Sequence, residues 1–390
     1  MKPKLSAFTA SFSSYTMTWA SQVVVSIFLQ VYLYSMGYSL IQLGIVGGLI
    51  GTFTALLQPP FGEVADTLRG RRQYLAALSV AARGVIMIAM VTLAAFPLEC
   101  VWASLYGAAT APFLPTTMSM VADEGSDENM GKNMGKFRMA GSIGWTVGNL
   151  VFGAIALRSV RDAFILASSL SLFSTVPLLL GKDTRSPPPK DEKGYQSGGT
   201  RIGSRIGILA LALFLFSVFT ISFTTGAGNQ FLPIYLRRLG ASTFLVGAVI
   251  ATGSATEIPF MYAGGRLTDA LGDRFVMIVG SLIFSSVYLL YSVVSVPPPF
   301  LAIQAGRGMA YAMYHSSSMA FSQREVQRRG RHAGLFNSFV SSGSTLGVFG
   351  GGFLASLVGF RGLFLFLSFM AAISVIVILA ISRLQRRFSM

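Results

Sequence analysis

Long apolar segments recur at regular intervals along the chain, and they limit the possible folds more strongly than any other feature. An α-helix needs about 20 apolar residues to cross about 30 Å of hydrocarbon, and the segments have that length. Segments such as 207–223 and 364–381 are apolar on every face, whereas a transmembrane β-strand alternates between polar and apolar side chains. The sequence therefore predicts an all-α integral membrane protein.

Twelve transmembrane helices can be placed, and they divide evenly around one long polar interruption. The interruption at 182–205 contains three consecutive prolines, mixed charges and a Gly/Ser stretch, which are typical of a flexible linker. We predict two pseudo-symmetric six-helix bundles, at 1–181 and 206–390, joined by this cytoplasmic linker. The predicted spans are 12–35, 41–62, 74–95, 98–121, 137–157, 163–181, 207–234, 243–265, 275–296, 299–321, 333–357 and 362–382.

The formal net charge of +15 is explained by membrane topology. If the N-terminus is cytoplasmic, most of the 30 lysine and arginine residues fall in cytoplasmic loops, as the positive-inside rule requires. We therefore expect both termini in the cytoplasm, the lipid bilayer as electrostatic partner, and no nucleic-acid partner. The first apolar run is too long for a cleaved signal, so we expect it to be the first span of a plasma-membrane protein, in a prokaryotic inner membrane.

Few residues are suited to catalysis or to metal binding. The one cysteine, Cys100, excludes an internal disulfide and a cysteine metal cluster, and there are two histidines in all. Metalloprotease, nucleophile-elbow and phosphate-loop motifs are absent from the sequence. We expect no enzyme activity and no metal or cofactor, and a protein that functions as a monomer.

The two halves of the sequence resemble each other at a constant offset of 203 residues. Further along, three glycines of the first half recur at an offset of 199. Such a duplication predicts a solute site near the membrane midplane, with transport by rocking of one half against the other. The pairs are Phe28/Phe231, Leu29/Leu232, Tyr32/Tyr235, Leu33/Leu236, Gly37/Gly240, Ser39/Ser242, Gly44/Gly247, Gly62/Gly265 and Asp66/Asp269, then Gly135/Gly334, Gly144/Gly343 and Gly148/Gly347.

The loop between spans two and three carries a glycine, an aspartate four residues later and then a basic pair. With twelve spans and a central linker, the chain resembles the major facilitator superfamily of transporters, whose loop signature this is. The resemblance implies a gating role for Gly62, Asp66, Arg71, Arg72, Gly265, Asp269 and Arg274. We expect the glycines to let helix ends pack closely and the aspartates to face a helix N-terminus, or simply to flank a helix end. Thr67 and an extra Arg69 depart from the signature, so the first turn is expected to differ.

Within that superfamily the chain is most similar to the proton symporter branch with the lactose, nucleoside and phenylpropionate permeases. The similar stretches are 240–242, 255–259 and 135–142. Drug antiporters carry a glycine-rich span-five signature with a Gly-Pro pair. Here Asn149 replaces that proline and Phe152 replaces a glycine, which favours symport over antiport.

Ionisable side chains inside a membrane are costly, so each is a candidate for function. Glu257 in span eight matches the glutamate of the similar permeases and is a candidate proton carrier, or a plain partner for an arginine. Arg307, Tyr311 and His315 follow at i, i+4 and i+8 in span ten and are expected on one face. Arg307 can bind a carboxylate, and His315 can relay a proton or serve only in packing.

Arg83 in span three is expected to be a structural anchor that reaches Glu63 or a backbone carbonyl, and contact with the solute is the alternative. Neutral polar residues on other spans are weaker candidates for solute contact or for helix packing. These are Gln30, Trp145, Asn149, Asn229, Gln230 and Asn337, of which Trp145 can stack on a sugar or base ring.

The function predicted from these features is secondary active transport of a small organic solute by alternating access, driven by proton symport. The solute is expected to be a carboxylate, a sugar or a nucleoside. A proton-coupled efflux antiporter for drugs or sugars is the first alternative, and uniport is another. A transport-inactive membrane receptor or sensor is the alternative from a different class.

Overall fold

The computed structural model describes residues 5–68, 70–93, 95–124, 130–182, 205–324 and 329–388. Within these ranges the chain is helical and contains no strand, apart from an isolated parallel bridge between Leu5 and Gly181. The predicted linker at 182–205 lies outside the described residues except for its two end residues.

The chain divides into two compact units. Unit 1 comprises Met1–Asp191 and Ala241–Ala251, and unit 2 comprises Glu192–Gly240 and Thr252–Met390. In unit 1, α1 packs on α7, α3 packs on α5, and α4 packs on α5 and α8. Its helices are α1 (Ala7–Val23), followed by a π-helical turn at Val24–Phe28, α2 (Leu29–Ser35), α3 (Leu40–Thr67), α4 (Arg72–Thr92), α5 (Phe96–Thr110), α6 (Phe113–Glu124), α7 (Met130–Ile155), α8 (Val160–Phe173) and α9 (Thr175–Leu180).

Unit 2 is built from the long helices of the second half of the chain. Here α10 packs on α14, and α12 packs on α13 and α14. The first residues of α11 belong to unit 1, and the remainder belongs to unit 2. The helices are α10 (Arg205–Arg238), α11 (Thr243–Leu271), α12 (Asp273–Val293), α13 (Phe300–Arg324) and α14 (Arg329–Phe388), which is interrupted by the non-helical Gly359.

Eight helices among the described residues are long and apolar enough to cross a membrane, and Met139–Ile155 is a further, shorter apolar helix. The remaining predicted spans coincide with α5 followed by α6 and with α13. One of the eight helices, Phe336–Arg383 in α14, covers two predicted spans, which lie on either side of Gly359. Gly359 has φ +70°, a conformation that side chains other than glycine rarely adopt, so the chain can turn there.

The turns before α3 and α11 have the same construction. Gly37 and Gly240 have φ +91° and +89°, which explains why glycine occurs at both positions. Two residues later a serine caps the next helix: Ser39 Oγ accepts from the backbone N–H of Gln42, and Ser242 Oγ accepts from that of Leu245. Both helices therefore begin where their local sequence predicts.

Glycine allows helices to touch through their backbones in both units. A Cβ on Gly144 would lie 2.1 Å from the carbonyl oxygen of Thr16, so α7 rests directly on α1. A Cβ on Gly347 would lie 2.2 Å from the carbonyl oxygen of Phe223, so α14 rests in the same way on α10. Small residues at such crossings are typical of helix packing in membranes.

The turns that follow α3 and α11 differ in length, as the extra Arg69 suggested. Four residues separate α3 from α4, whereas Gly272 alone separates α11 from α12. Both turns nevertheless contain a glycine in the left-handed region, Gly70 at φ +84° and Gly272 at φ +86°. The helix starts differ, because Arg71 with φ −138° lies between Gly70 and α4, whereas α12 begins directly after Gly272.

Candidate functional site

A buried ion pair joins α11 and α13 in unit 2. Arg307 Nη2 donates to Glu257 Oε1 at 2.5 Å, and the two side chains are only 7% and 16% exposed. The Arg307 guanidinium also lies 5.9 Å from the centroid of the Tyr311 ring. An ion pair inside a membrane protein is costly to maintain and marks a candidate functional site.

Two glycines bring the helices of this pair together. A Cβ on Gly308 would lie 2.2 Å from the carbonyl oxygen of Gly253, so α13 touches the backbone of α11. A Cβ on Gly253 would lie 3.0 Å from Arg307 Nη2 and 2.9 Å from Gln304 Cγ. Since Glu257 lies one turn beyond Gly253, the same contact places the carboxylate within reach of the guanidinium.

Polar side chains from α12 and α13 surround the pair. The Tyr291 hydroxyl donates to Gln304 Oε1, and Gln304 lies one turn before Arg307. Among the described residues, Tyr288 Oη, Gln304 Nε2 and Arg307 Nε have no hydrogen-bond partner. Buried polar atoms are nearly always satisfied, so this set retains donors that a water molecule or a solute could use.

A column of rings continues from Arg307 along α13. Tyr311 and His315 stack with centroids 5.3 Å apart and planes 9° from parallel, and His315 lies 6.2 Å from Phe336. The structure therefore places the three residues predicted at i, i+4 and i+8 on one face. Their roles in proton coupling and solute binding remain predictions.

Unit 1 contains a buried arginine with neutral partners. Arg83 Nη2 donates to Gln22 Oε1 at 3.1 Å and to the Tyr106 hydroxyl at 3.0 Å, and the side chain is fully buried. The prediction that Arg83 reaches Glu63 or a backbone carbonyl is wrong. Glu63 is exposed on α3, whereas Arg83 points towards α1 and α5, where hydroxyl and amide groups are available.

We expect Tyr106→Phe to lower the free energy of unfolding by about 1–3 kcal/mol, because it leaves a buried guanidinium N–H unsatisfied. The ring itself, whose centroid lies 5.3 Å from Arg83, is retained. Tyr262→Phe is the matched control, because Tyr262 is 73% exposed and lies beside Arg266 in the same manner. Denaturant unfolding of the purified protein measures both changes, and equal effects would contradict this role for the hydroxyl.

The neutral polar candidates are divided between buried and exposed positions. Asn149 is buried and donates to the Trp145 carbonyl at 2.8 Å, and Trp145 meets Trp19 edge to face at 5.7 Å. These contacts make α7 part of an aromatic cluster with α1. The remaining candidates are Gln30 and Gln230, which are buried, and Asn229 and Asn337, which are exposed.

The predicted gating loops agree with the structure only in part. The expectation that Gly62 and Gly265 allow close packing is wrong in this conformation. The nearest atom to a Cβ on Gly62 would be Pro115 Cβ at 4.0 Å, and no atom lies within 4 Å of one on Gly265. The close approach occurs instead at Gly264, where a Cβ would lie 2.8 Å from Ser316 Oγ.

The charged members of these loops have different surroundings. Arg71 is exposed and Arg72 is buried at the start of α4. Asp269 is exposed, and the Arg274 guanidinium lies 5.7 Å from the Phe321 ring centroid. The side chain of Asp66 is outside the described part of the structure, so its predicted role is not tested.

Several polar neighbours of the two arginines were not predicted from the sequence. They are Gln22, Tyr106, Tyr288, Tyr291 and Gln304. Helical spacing carried a signal for some of them, because Gln304 lies three residues before Arg307 and the two tyrosines of α12 are three apart. Pairing between helices that are distant in sequence gave no such signal.

A family model described as the MFS_1 like family matches residues 13–366. The chain is 24% identical to a maltose permease of Geobacillus stearothermophilus over 85% of this chain and 84% of that protein. It is 25% identical to the multi-drug resistance efflux pump PmrA of Streptococcus pneumoniae over 72% of this chain and 71% of that one. An uncharacterized MFS-type transporter of Methanocaldococcus jannaschii is 27% identical, and the match covers 42% of this chain and 44% of that protein.

Solved structures of transporters have a similar fold. A bacterial homologue of the human lysosomal transporter Spinster, inward-facing and occupied, has a TM-score of 0.78 at 18% identity, with 96% of each chain covered. The nucleoside transporter NupG has a TM-score of 0.75 at 16% identity, with 98% of this chain and 99% of that chain covered. At these identities the likeness shows the fold alone. Together with the family model, which covers most of the sequence, it shows that the chain belongs to the major facilitator superfamily of membrane transporters.

Proposed function

We propose that this protein moves a small organic solute across the membrane by alternating access, together with a proton, and that Glu257 and Arg307 couple the two. The observation that carries the proposal is the 2.5 Å ion pair between α11 and α13, buried beside polar groups that lack partners among the described residues. The pair balances its own charge, so neither member can change its charge or partner without affecting the other.

The coupling follows from charge balance. If Glu257 binds a proton, Arg307 loses its counter-charge inside the unit, which is unfavourable. An anionic group of a solute can restore the charge balance by accepting hydrogen bonds from the Arg307 guanidinium. Proton and solute therefore each make binding of the other more favourable, and the doubly occupied protein is electrically equivalent to the empty one. This is the requirement for symport.

The chemistry of the site favours a solute with a carboxylate and a ring. Arg307 can hold a carboxylate, and the stacked Tyr311 and His315 present aromatic faces further along the same helix. Sugars and nucleosides remain candidates, because the maltose permease is a relative and the solved nucleoside transporter has the same fold.

We propose twelve spans in two six-helix bundles, with both termini in the cytoplasm of a prokaryotic cell and a monomer as the working unit. The order of helices supports this count, since α5 with α6, α8 with α9, and the two parts of α14 each match a predicted span or pair of spans. The residues proposed to act as gates are Gly62, Asp66, Arg71, Arg72, Gly265, Asp269 and Arg274.

The test is proton movement in proteoliposomes that contain the purified protein. A panel of aromatic acids, sugars and nucleosides is added outside, and external and internal pH are recorded for the wild type and for Glu257→Gln. We expect solute-dependent alkalinisation outside in the wild type and loss of proton movement in Glu257→Gln. Solute flux without proton movement, unchanged by the substitution, would indicate a uniporter and contradict the coupling role.

A proton-coupled efflux antiporter is the second candidate, because PmrA, a multi-drug resistance efflux pump, is among the relatives. In that case proton and solute compete, and Glu257 releases its proton when the solute binds. The same experiment distinguishes the two, because an antiporter moves protons in the direction opposite to the solute.

A further inference from the structure

A carboxyl group in unit 1 lies apart from every site described above. Glu99 is in the first turn of α5 and is fully buried. Neither Oε1 nor Oε2 has a hydrogen-bond partner among the described residues. Buried carboxylates normally accept several hydrogen bonds or pair with a cation, so an isolated one requires a physical explanation.

The carboxyl lies on the packed face of its helix. The buried residues of α5 are Glu99, Ala103, Tyr106 and Gly107, which share one face by helical spacing. At the far end of this face a Cβ on Gly107 would lie 2.5 Å from the Ile50 carbonyl oxygen, so α5 is pressed against α3. At the near end Tyr38 meets Phe96 edge to face at 5.9 Å and covers the start of the helix.

The titratable groups around Glu99 leave its charge unbalanced. Tyr38, between α2 and α3, lies beside Glu99, and α5 itself contributes Cys100. Burial raises the pKa of Tyr38 to about 12, and the neighbouring Glu99 adds to that increase. The charged groups of α4 are Arg72, at its first residue, and Arg83. Arg83 is bound at Tyr106, about 10 Å along the axis of α5 from Glu99.

The sequence offers no nearer cation on the helices that pack against α5. No titratable residue occurs in α3 from Leu40 to Gly62 or in α4 from Gly84 to Thr92. The positive end of the α5 dipole favours a carboxylate, but this effect is small compared with the cost of removing an ion from water. The uncharged acid is therefore the favoured form of Glu99 in this conformation.

We propose that Glu99 is a proton-binding site of unit 1, which holds its proton while α5 is packed against α3 and α4 and releases it when the start of α5 opens to water. The ligand is a proton rather than a metal ion, because metal ions such as Na⁺ or Mg²⁺ need several oxygen ligands. Among the described side chains that lie beside Glu99, Tyr38 supplies a single phenol oxygen. This site is separate from Glu257, and the inference does not depend on coupling at the ion pair.

The first test detects whether the Glu99 carboxyl is protonated in the full-length protein. Dicyclohexylcarbodiimide reacts with protonated carboxyl groups in apolar surroundings, and peptide mass spectrometry identifies the modified residue. We expect modification of Glu99 at neutral pH that decreases as the pH rises, while Glu257 is protected by Arg307. Modification of Glu257 alone would contradict the proposal.

The second test does not require the reagent to reach the site. Glu99→Gln keeps the shape of the neutral acid, so it is expected to unfold like the wild type at acidic pH. In the unfolded chain a glutamate loses its proton above a pH of about 4.3, whereas folded Glu99 keeps it. As the pH rises above that value, the folding equilibrium constant of the wild type therefore falls relative to that of Glu99→Gln, by up to about tenfold per pH unit. The fall ends at the pH where the carboxyl of the folded protein also ionises.

Glu63→Gln is the control for this comparison, since Glu63 is an exposed carboxyl on α3. It is expected to follow the wild type over the whole pH range. A difference between Glu99→Gln and the wild type that is constant with pH would overturn the proposal, because it would mean that no proton is bound at Glu99.

Discussion

Replacing Glu257 with alanine is expected to lower the free energy of unfolding by about 3–5 kcal/mol. The change leaves Arg307 without a counter-charge in a position where its side chain is 7% exposed. Its neighbours Tyr291 and Gln304 already bind each other, and neither carries a negative charge to replace the carboxylate. Denaturant unfolding of the purified protein in detergent measures the loss.

The double variant Glu257→Ala/Arg307→Met distinguishes the effect of removing both charges from the effect of leaving one charge unpaired. Since it removes both charges, we expect it to regain most of the stability lost in Glu257→Ala. Glu63→Ala is the control, because this exposed carboxylate on α3 should change stability by less than about 0.5 kcal/mol. A double variant as unstable as the single one would mean that Arg307 is held by something other than Glu257.

Gly308→Leu is expected to prevent correct packing of unit 2, with a loss of about 3 kcal/mol or more. The position has no room for a side chain, because a Cβ would lie 2.2 Å from the Gly253 carbonyl oxygen and 3.1 Å from Thr256 Cβ. The nearest obstacle is backbone, which cannot rotate aside, so α13 must move away from α11. That movement also separates Arg307 from Glu257.

The matched control is Gly265→Ala on the partner helix α11, where no atom lies within 4 Å of the added Cβ. Alanine is favoured over glycine in a helix by about 1 kcal/mol, so this variant is expected to be as stable as the wild type or slightly more so. Size-exclusion chromatography and thermal unfolding compare the two variants. A folded, stable Gly308→Leu protein would contradict the close contact between α11 and α13.

Hydropathy and the internal repeat allowed much of the fold to be predicted. The apolar segments correspond to helices, and the matched glycines and serines at 37, 39, 240 and 242 form turns and caps as their chemistry requires. These features are local, because a left-handed glycine or a capping serine acts within a few residues of its position. Local sequence is therefore sufficient to place them.

The site was harder to predict because it depends on how helices are rotated against each other. Spacing along α13 correctly placed Arg307, Tyr311 and His315 on one face. Spacing along α4 gave no information on which neighbouring helix the Arg83 side chain faces. The expected partner, Glu63, is exposed on α3. In α11 the close helix contacts are at Gly253 and Gly264 and not at the predicted Gly265, because helix rotation decides which glycine faces a neighbouring helix.

The measurement that tests the central claim most directly is the number of protons exchanged when solute binds. Calorimetric titration of the purified protein with the solute that gives flux in proteoliposomes, in two buffers of different ionisation enthalpy, yields this number. The account predicts uptake of about one proton per solute bound in the wild type and none in Glu257→Gln. Binding without proton uptake in the wild type, or the same uptake in Glu257→Gln, would contradict coupling through the ion pair of Glu257 and Arg307.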